Sequence, residues 1–339
     1  MITKHESSNC RVCGGGEIQE RLHPREMMFG SREKFTYVRC ASCGCLQIDK
    51  IPEDLGKYYP TDYYSYQSPP DPPPRLKTIL KRKLLSPIML KHLLGRKSKI
   101  GYVLCRFLRS PYIPAWLYFL GKPIAPNSRI LDVGCGSGSN LLALSKSGFT
   151  RLRGVDPFIS TQLSYRGGVI IEKCDLQKVR GRFDLIMFHH VFEHLEDPLG
   201  ALKAASQLLA EGGQILIRIP LSDSVAAQKY RENWAQIDAP RHITLHSRKS
   251  MNLAAQISGL KITKVTYDSS EFQFWASEQY MLDIPLLDPR SRNPGTSNGI
   301  FSEDQINAFA QAALQLNRQE QGDQAAFVLE SVQIHSPGR

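Results

Sequence analysis

The sequence predicts an α/β protein whose main part is a doubly wound, Rossmann-like sheet of seven strands, preceded by a small N-terminal zinc ribbon. Two observations indicate this architecture. Between residues 129 and 219, short hydrophobic strands alternate with helical segments across short connectors, which is the pattern of a parallel sheet covered by helices. Nearer the N-terminus, two Cys-x-x-Cys pairs offer four thiols to a metal ion.

We therefore divide the 339 residues into a zinc-ribbon-like module over 1–57, a linker with basic helices over 58–125, and the main α/β domain over 126–339. A hydrophobic content of 42% is enough for a large buried core. The sequence shows no N-terminal apolar leader and no apolar run of membrane-spanning length, so we expect a cytoplasmic protein. Eight cysteines in a chain of this size favour reduced thiols over a disulfide scaffold.

The first module is built on four predicted metal ligands, Cys10, Cys13, Cys40 and Cys43. Each Cys-x-x-Cys pair is followed by glycine, and 26 residues separate the pairs, which is ordinary spacing for a ribbon that holds Zn²⁺ between four thiolates. A module of this size has little apolar surface, so bound metal would supply folding free energy. The alternatives are unligated or redox-active thiols, or replacement of a ligand by Cys45 or His23.

The linker contains five tyrosines between residues 58 and 66 and a proline-rich run over 69–74, which forces extended backbone. The tyrosine rings would pack the ribbon against the next domain, or one phenol would reach a substrate pocket, and the residues alone favour packing. Residues 75–109 carry much of the net charge of +11, interleaved with leucine and isoleucine. The net charge invites a nucleic-acid interpretation, but this distribution of the charge weakens it. The pattern favours a solvated helix face and leaves peripheral contact with an anionic membrane open.

The main domain is predicted to alternate strands and helices in chain order. The predicted strands are 129–133, 151–155, 169–172, 184–188, 214–219, 261–267 and 325–332, and the predicted helices of the alternating part are 140–147 and 198–209. The last two strands would pair antiparallel at one edge of the sheet. Between them lies an insertion over 275–322, in which Ser302 would cap a helix near Ser302–Leu316; insertions of this kind often form lids.

The most informative motif is the turn Asp132-Val-Gly134-Cys-Gly136-Ser-Gly138, which follows the first strand of the main domain and opens a helix. Glycines let the backbone approach a bound cofactor, and the helix offers free N–H groups to it. The next strand ends at Asp156, at the spacing where an acid binds both hydroxyls of a ribose. The turn lacks the lysine of a phosphate-binding P-loop and the Gly-x-Gly-x-x-Gly spacing of a dinucleotide site, so these residues predict another nucleoside cofactor.

This order of motifs resembles the class I S-adenosylmethionine-dependent methyltransferases over roughly residues 128–220. The resemblance implies a methyltransferase sheet, a glycine turn against the methionine part of the cofactor, Asp156 at the ribose and Asp175 near the adenine amine. The histidine loop after the fourth strand would also line the cofactor. The predicted cofactor-binding residues are Asp132, Gly134, Cys135, Gly136, Gly138, Asn140, Asp156, Pro157, Asp175, Leu176, His189 and His190.

Two further motifs supply candidate catalytic residues. Glu193 and His194 lie in a segment that resembles the Glu-His-x-x-Asp-Pro motif found after the fourth strand of many small-molecule methyltransferases. His242 lies after the fifth strand, where an imidazole that titrates near neutrality could take the proton of an acceptor and Asp238 could orient it. In the alternative interpretation both motifs are structural: the first caps a helix start, and Asp238, Arg241 and His242 cap the next helix.

The whole layout is similar to zinc-containing methyltransferases that act on sugars, including the nucleotide-sugar C-methyltransferases. In that group a tyrosine just after the zinc module enters the active site, which makes Tyr64 and Tyr66 the matching candidates. The resemblance implies methyl transfer from S-adenosylmethionine to a small sugar or glycan-linked acceptor, at oxygen or carbon. Two rival functions stay open: an RNA-modifying methyltransferase, and a non-catalytic scaffold that keeps the cofactor fold.

Overall fold

The computed structural model describes residues 9–59, 114–292 and 299–332, together with isolated residues between 85 and 104. The proline-rich run, the predicted basic helices over 75–109 as a whole, Tyr64 and Tyr66 lie outside the described residues. The strands are β1 Ile18–Leu22, β2 Tyr37–Cys40, β3 Leu46–Ile48, β4 Arg129–Val133, β5 Arg151–Val155, β6 Leu163–Tyr165, β7 Val169–Glu172, β8 Phe183–His189, β9 Leu209–Pro220, β10 Thr244–Leu245, β11 Leu260–Tyr267 and β12 Gln324–Ser331. The helices are α1 Ser139–Ser147, α2 Pro198–Leu208, α3 Val225–Tyr230, α4 Arg248–Ile257, α5 Phe272–Met281 and α6 Glu303–Arg318.

The central sheet follows the predicted doubly wound pattern. Its spatial order is β11–β12–β9–β8–β4–β5–β7–β6, and the five strands from β9 to β7 run parallel. The expected antiparallel edge is present, because β12 pairs with both β9 and β11 in the opposite direction. All seven predicted strands therefore occur, within a residue or two at most ends.

The predicted count of seven strands is wrong, because the described part of the sheet has eight. The additional strand is β6, three residues long, which pairs antiparallel with β7 at the far edge. A three-residue segment is too short to show the alternation of apolar and polar residues by which a strand is recognised. Its pairing with β7 becomes visible only in the folded chain.

Helices cover both faces of the central sheet, and alternate residues of the central strands supply the two cores. In β8, Ile186 and Phe188 pack with α2 and α4, whereas Leu185 and Met187 face α1. The first core also contains Cys10 and the other buried cysteines of the N-terminal module, which therefore packs on the same side as α2 and α4. All of these side chains are almost fully buried, as expected for a parallel sheet covered on both faces.

The N-terminal module shares its sheet with the main domain. The small sheet has the order β1–β2–β3–β10, and its last strand comes from the segment that follows His242. The predicted insertion is also attached to the module, because the N–H groups of Leu286 and Leu287 donate to the carbonyls of Met27 and Met28 at 2.7 and 3.1 Å. The module is thus held on two sides by residues far away in the sequence.

The insertion begins a few residues earlier than expected, with α5 at Phe272. Its second helix, α6, is capped as predicted: Ser302 Oγ accepts from Gln305 N–H, and the Gln305 side chain accepts from Ser302 N–H. Whether the insertion acts as a lid remains a prediction. Within the described residues, every helix is too short or too polar to cross a membrane.

Candidate functional site

The glycine turn, residues 134–138, lies where β4 ends and α1 begins, at the carboxyl edge of the parallel strands. Gly134 and Gly138 have φ values of +65° and +83°, in the region that L-residues with a Cβ avoid. A Cβ at Gly134 would press on Val191 Cγ1 and stand 2.8 Å from Val191 Cγ2, and one at Gly138 would press on Ile171 Cδ1. Neighbouring side chains therefore close around the bare backbone, which forms a narrow cradle.

Asp132 is buried at the end of β4, and its Oδ2 atom has no hydrogen-bond partner among the described residues. Burial, with the nearby charge of Asp156, raises its pKa to about 8. A buried carboxylate without a partner costs free energy unless a cation neutralises it or a hydrogen-bond donor binds it. Asp132 is therefore suited to a ligand that brings positive charge to the turn.

Asp156 follows β5, and its carboxylate connects the glycine turn after β4 with the loop after β5. Its Oδ2 accepts from the N–H of Gly136 and its Oδ1 from the N–H of Phe158, both at 2.8 Å. These bonds hold the carboxylate at the strand end, as the sequence predicted for a ribose-binding acid. The side chain of Phe158 is 77% exposed beside this carboxylate.

The other predicted cofactor residues surround the same edge of the sheet. Asn140 lies in the first turn of α1, and Pro157 follows Asp156 on the surface. Asp175 is about half exposed and pairs with Lys178 Nζ at 3.1 Å, whereas Leu176 beside it is buried. Burial raises the pKa of the Cys135 thiol, so this side chain stays protonated within the turn.

The histidine loop after β8 lies next to the glycine turn, as predicted. The His189 ring packs on Trp116 with 4.7 Å between ring centres, and burial lowers its pKa to about 3, so the imidazole is neutral. His190 has a φ of +52°, and its Nε2 accepts from Arg218 Nη1 at 2.6 Å. Trp116 is a neighbour that the sequence did not single out, since it lies outside the motifs.

Glu193, His194 and His242 come together in what we call the Glu193 cluster. One ligand atom of each side chain lies within 4.8 Å of the others, although 48 residues separate His194 from His242. The two imidazole rings meet edge to face at 4.6 Å between centres, and His242 Nε2 lies 3.9 Å from Glu193 Oε1. The structure thus brings together the predicted catalytic residues of two separate motifs.

Glu193 is the most unusual member of the cluster, because its side chain is 1% exposed and neither carboxylate oxygen has a hydrogen-bond partner among the described residues. Its nearest polar neighbour is His190 Nδ1, at 3.4 Å. Burial raises its pKa, but His190 and the other imidazoles outweigh burial and lower the pKa to about 2. Burial also lowers the pKa of His194, to about 4. Glu193 caps no helix, because its oxygens bind no backbone N–H. The structural alternative holds for two other residues of the motif: Asp197 caps α2, with its Oδ1 accepting from Gly200 N–H at 2.8 Å, and His194 Nδ1 donates to the Arg241 carbonyl at 2.9 Å.

For the second motif the helix cap predicted by the structural alternative is wrong, because Ser247 and not Asp238, Arg241 or His242 caps α4. Asp238 instead accepts two hydrogen bonds from the buried guanidinium of Arg241, at 2.9 and 2.6 Å. Arg241 also reaches Glu26 of the N-terminal module at 2.9 Å. His242 is oriented by the Gln236 carbonyl, which accepts from its Nδ1 at 2.7 Å.

One tyrosine of the predicted linker reaches the Glu193 cluster. The hydroxyl of Tyr59 lies 3.1 Å from His194 Nδ1, and the two rings meet edge to face. The sequence pointed to the tyrosine-rich segment, and within it to Tyr64 and Tyr66, which lie outside the described residues. The role of Tyr64 and Tyr66 stays a prediction. The sequence alone could not distinguish Tyr59 from the other tyrosines of the segment as the one that contacts His194.

The four predicted thiols of the N-terminal module form a compact cluster. Cys10 Sγ lies 3.5 Å from Cys43 Sγ, and Cys13 Sγ lies 3.4 Å from Cys40 Sγ, with all four sulfurs within 4.8 Å of one another. Both pairs form the same knuckle, in which the N–H of Gly14 or Gly44 donates to the carbonyl of the first cysteine. Four thiolates around Zn²⁺ at about 2.3 Å would stand roughly 3.8 Å apart, which this arrangement fits. His23 is exposed and, like Cys45, is not part of the cluster.

Comparison with known proteins identifies the kind of domain. Residues 106–265 match the sequence model of a family described as a methyltransferase domain. The tRNA U34 carboxymethyltransferase of Campylobacter hominis is 29% identical over 127 residues, which cover 34% of this chain and 45% of that protein. The ubiquinone biosynthesis O-methyltransferase of Xanthomonas campestris pv. campestris is 28% identical over 114 residues, which cover 30% of this chain and 46% of that protein.

Among solved structures, mycolic acid cyclopropane synthase complexed with SAH aligns with a TM-score of 0.41 and 16% identity, over 63% of this chain and 80% of that chain. The chain spans a little under half of the length of the two curated relatives. The domain match and the names of the relatives support a methyltransferase domain over residues 106–265, within the mixed α/β, Rossmann-like fold described above. Because the two names differ in what they modify, they leave the acceptor of this chain unidentified.

Proposed function

We propose that this protein transfers the methyl group of S-adenosylmethionine to a small acceptor, a sugar or a glycan-linked molecule, at oxygen or carbon. One observation carries the proposal: a glycine cradle with a buried, unpartnered carboxylate stands at the same sheet edge as the Glu193 cluster. The first is suited to the methyl donor and the second to the acceptor. Both lie at the carboxyl ends of parallel strands, where open α/β sheets bind their ligands.

The residues of the cradle fit the donor. Asp132 Oδ2 lacks a partner, and the donor carries a sulfonium and an ammonium group whose positive charges would complete it. The Gly136 N–H bond already orients Asp156, whose carboxylate would bind the ribose hydroxyls. The bare backbone at Gly134 and Gly138 would lie against the methionine part of the donor, and side chains at these two positions would displace Val191 and Ile171, which pack against the turn.

The bound donor supplies an activated methyl group, which moves to the acceptor as the acceptor loses a proton and the sulfonium becomes a neutral thioether. The chain must hold the acceptor in line, exclude water and help to remove that proton. The Glu193 cluster is placed for the last task. His242 keeps its Nδ1–H on the Gln236 carbonyl, so its Nε2 lone pair faces Glu193 and the cluster.

The proposed acceptor class is supported by the polar side chains of the Glu193 cluster and by the adjacent hydroxyl of Tyr59. A carboxylate, two imidazoles and the Tyr59 hydroxyl meet beside the cradle, and such groups bind and activate hydroxyls. Tyr59 lies just after the N-terminal module, in the tyrosine-rich segment from which the resemblance to sugar methyltransferases implies an active-site tyrosine. We also propose that Cys10, Cys13, Cys40 and Cys43 hold a structural zinc ion, which would supply folding energy to a module with a small core.

The proposal is tested by incubating the full chain with methyl-labelled S-adenosylmethionine and candidate nucleotide sugars, glycans and RNA, and identifying the labelled product by mass spectrometry. Asp156→Asn should weaken donor binding at least tenfold, while Asp54→Asn, an exposed aspartate whose side chain caps nothing, serves as the matched control. Full activity of Asp156→Asn would exclude the cofactor assignment. Label recovered in RNA and not in a sugar would refute the acceptor class, and donor binding without any transfer would favour the scaffold alternative.

A further inference from the structure

The Glu193 cluster has the composition of a metal site as well as that of an acid–base site. Glu193 and His194 lie in one short turn after β8, Phe192–His194, and His242 lies in the loop before β10. A carboxylate and two imidazoles with ligand atoms within 4.8 Å of one another form one of two such groups found among the described residues, the other being the four cysteines. Unlike the cysteines, this group was not predicted to bind metal.

The buried carboxylate of Glu193 is poorly compensated: among the described residues His190 Nδ1 lies 3.4 Å from Oε1, but without the geometry of a hydrogen bond. Both oxygens are inaccessible and without a hydrogen bond among the described residues, and the side chain is 1% exposed. Buried charges are normally paired or coordinated to a metal ion, because an uncompensated charge in the interior costs several kcal/mol. A cation between Glu193 and the imidazoles would supply the missing compensation.

Both histidines are held in the way that metal-binding histidines usually are. The Nδ1–H of His242 donates to the Gln236 carbonyl at 2.7 Å, and the Nδ1–H of His194 donates to the Arg241 carbonyl at 2.9 Å. A carbonyl can only accept, so these bonds select the tautomer in which Nε2 carries the lone pair. Such second bonds orient a ligating ring and keep its free nitrogen available for the metal.

We propose that Glu193, His194 and His242 bind a divalent transition-metal ion, with open positions for an oxygen of the acceptor. Two imidazoles and one carboxylate favour Zn²⁺, Fe²⁺, Co²⁺ or Mn²⁺ over Mg²⁺ and Ca²⁺, which prefer oxygen ligands alone. Bonds of about 2.1 Å place adjacent ligand atoms about 3.0–3.5 Å apart, so the 3.9 Å between His242 Nε2 and Glu193 Oε1 would shorten slightly. Asp238 stays outside the ligand set, because Arg241 already occupies both of its oxygens.

With its Nε2 lone pair on the metal, His242 would no longer take the acceptor proton itself. The metal would instead act as a Lewis acid at the acceptor and lower the pKa of a hydroxyl bound to it, so that the hydroxyl proton is released to water. This chemical role rests on the proposed function, whereas metal binding does not. It also narrows the acceptor to molecules with an ionisable oxygen, such as a sugar with a free hydroxyl beside a second oxygen ligand.

The test measures the metal content of the protein in the absence of methyl donor and acceptor, so its result does not depend on turnover. The purified full chain is stripped with a chelator, reloaded with Co²⁺ or Zn²⁺, dialysed, and examined by elemental analysis and by the absorption spectrum of the cobalt form. We expect two equivalents in the wild type, one at the cysteines and one at the Glu193 cluster. Glu193→Gln and His242→Gln should each lose one equivalent and keep the thiolate-to-cobalt absorption, whereas Cys43→Ser should lose that absorption and keep the weaker bands of the cluster.

Glu196→Gln is the matched control, because this exposed glutamate lies three residues after Glu193 in the same loop. It should retain two equivalents, and circular dichroism should show that every variant is folded. Equal metal content in Glu193→Gln, His242→Gln and Glu196→Gln would overturn the proposal, even if all of them bind one zinc at the cysteines. A failure of methyl transfer with the cluster metal present would count against the proposed function alone.

Discussion

The substitution Gly134→Ala tests whether the glycine turn is a cradle that tolerates no side chain. A residue with a Cβ at φ +65° costs about 1–2 kcal/mol in the left-handed region. The new Cβ would press on Val191 Cγ1 and stand 2.8 Å from Cγ2, closer than real Cβ atoms come to their neighbours. Relieving that overlap requires a shift of roughly 0.5 Å and costs about 1–3 kcal/mol more, because Val191 is β-branched and stiff.

We therefore expect Gly134→Ala to lower the free energy of unfolding by about 2–5 kcal/mol and the affinity for S-adenosylmethionine at least tenfold, which corresponds to about 1.4 kcal/mol. The matched control is Gly212→Ala, since Gly212 has a φ of +70° with nothing within 4 Å of its Cβ position. That variant should lose only about 1–2 kcal/mol of stability and keep its affinity. Chemical denaturation and titration calorimetry measure the two quantities.

The double variant Gly134→Ala with Val191→Ala separates the backbone strain at residue 134 from the steric overlap with the Val191 side chain. Removing both Cγ atoms should restore about 1–3 kcal/mol relative to the sum of the two single changes, because the residues are in contact. If Gly134→Ala and Gly212→Ala lose equal stability and both keep their donor affinity, the turn is not the closed cradle described here. In that case the glycines would serve only the backbone conformation.

Three further predictions concern buried groups. Asp132 has a pKa of about 8 in the fold, so it binds a proton that the unfolded chain releases near pH 4, and stability should fall by at most about 5 kcal/mol as the pH rises from 4 to 8. Asp132→Asn should abolish this slope in denaturation curves, and an unchanged slope would contradict the assignment. Arg241→Met should lower the free energy of unfolding by about 3–5 kcal/mol, because two carboxylates would remain buried without their partner. Arg248→Met, at a half-exposed position, should lower it by only about 0–1 kcal/mol, and equal losses would contradict the buried network. Cys43→Ser should lower both the zinc content and the melting temperature, as a chelator should in the wild type, whereas Cys174→Ser, outside the cluster, should change neither.

The arrangement of the glycine turn with Asp132 and Asp156 was predictable because its signals are local. A glycine turn, a strand end and the acid after the next strand are contiguous motifs, and the structure places Asp132, Gly134 and Asp156 around one cradle. The two cysteine knuckles are equally local, since each closes within six residues through bonds of its own backbone. The Ser302 cap follows from a four-residue pattern.

The Glu193 cluster was predictable only as separate residues in two motifs. Glu193, His194 and His242 were each singled out, but their meeting depends on how the loops after β8 and β9 pack over the sheet edge. The buried ion pair of Arg241 with Glu26 spans 215 residues, and nothing in a sequence distinguishes such an arginine from one on the surface. The orientation of His242 by a carbonyl, and not by Asp238, likewise depends on the tertiary path of the backbone.

The sequence by itself determined the order of strands and helices, the glycine turn at residues 134–138 and the four-cysteine knuckles, because periodicity and short-range backbone chemistry specify them. Only the tertiary structure decided that β10 joins the N-terminal module to the main domain, that β6 extends the sheet, and that Tyr59 reaches the Glu193 cluster. The physical reason is that these contacts join residues far apart in the chain, and burial of apolar surface across the whole fold selects such contacts without leaving a local pattern.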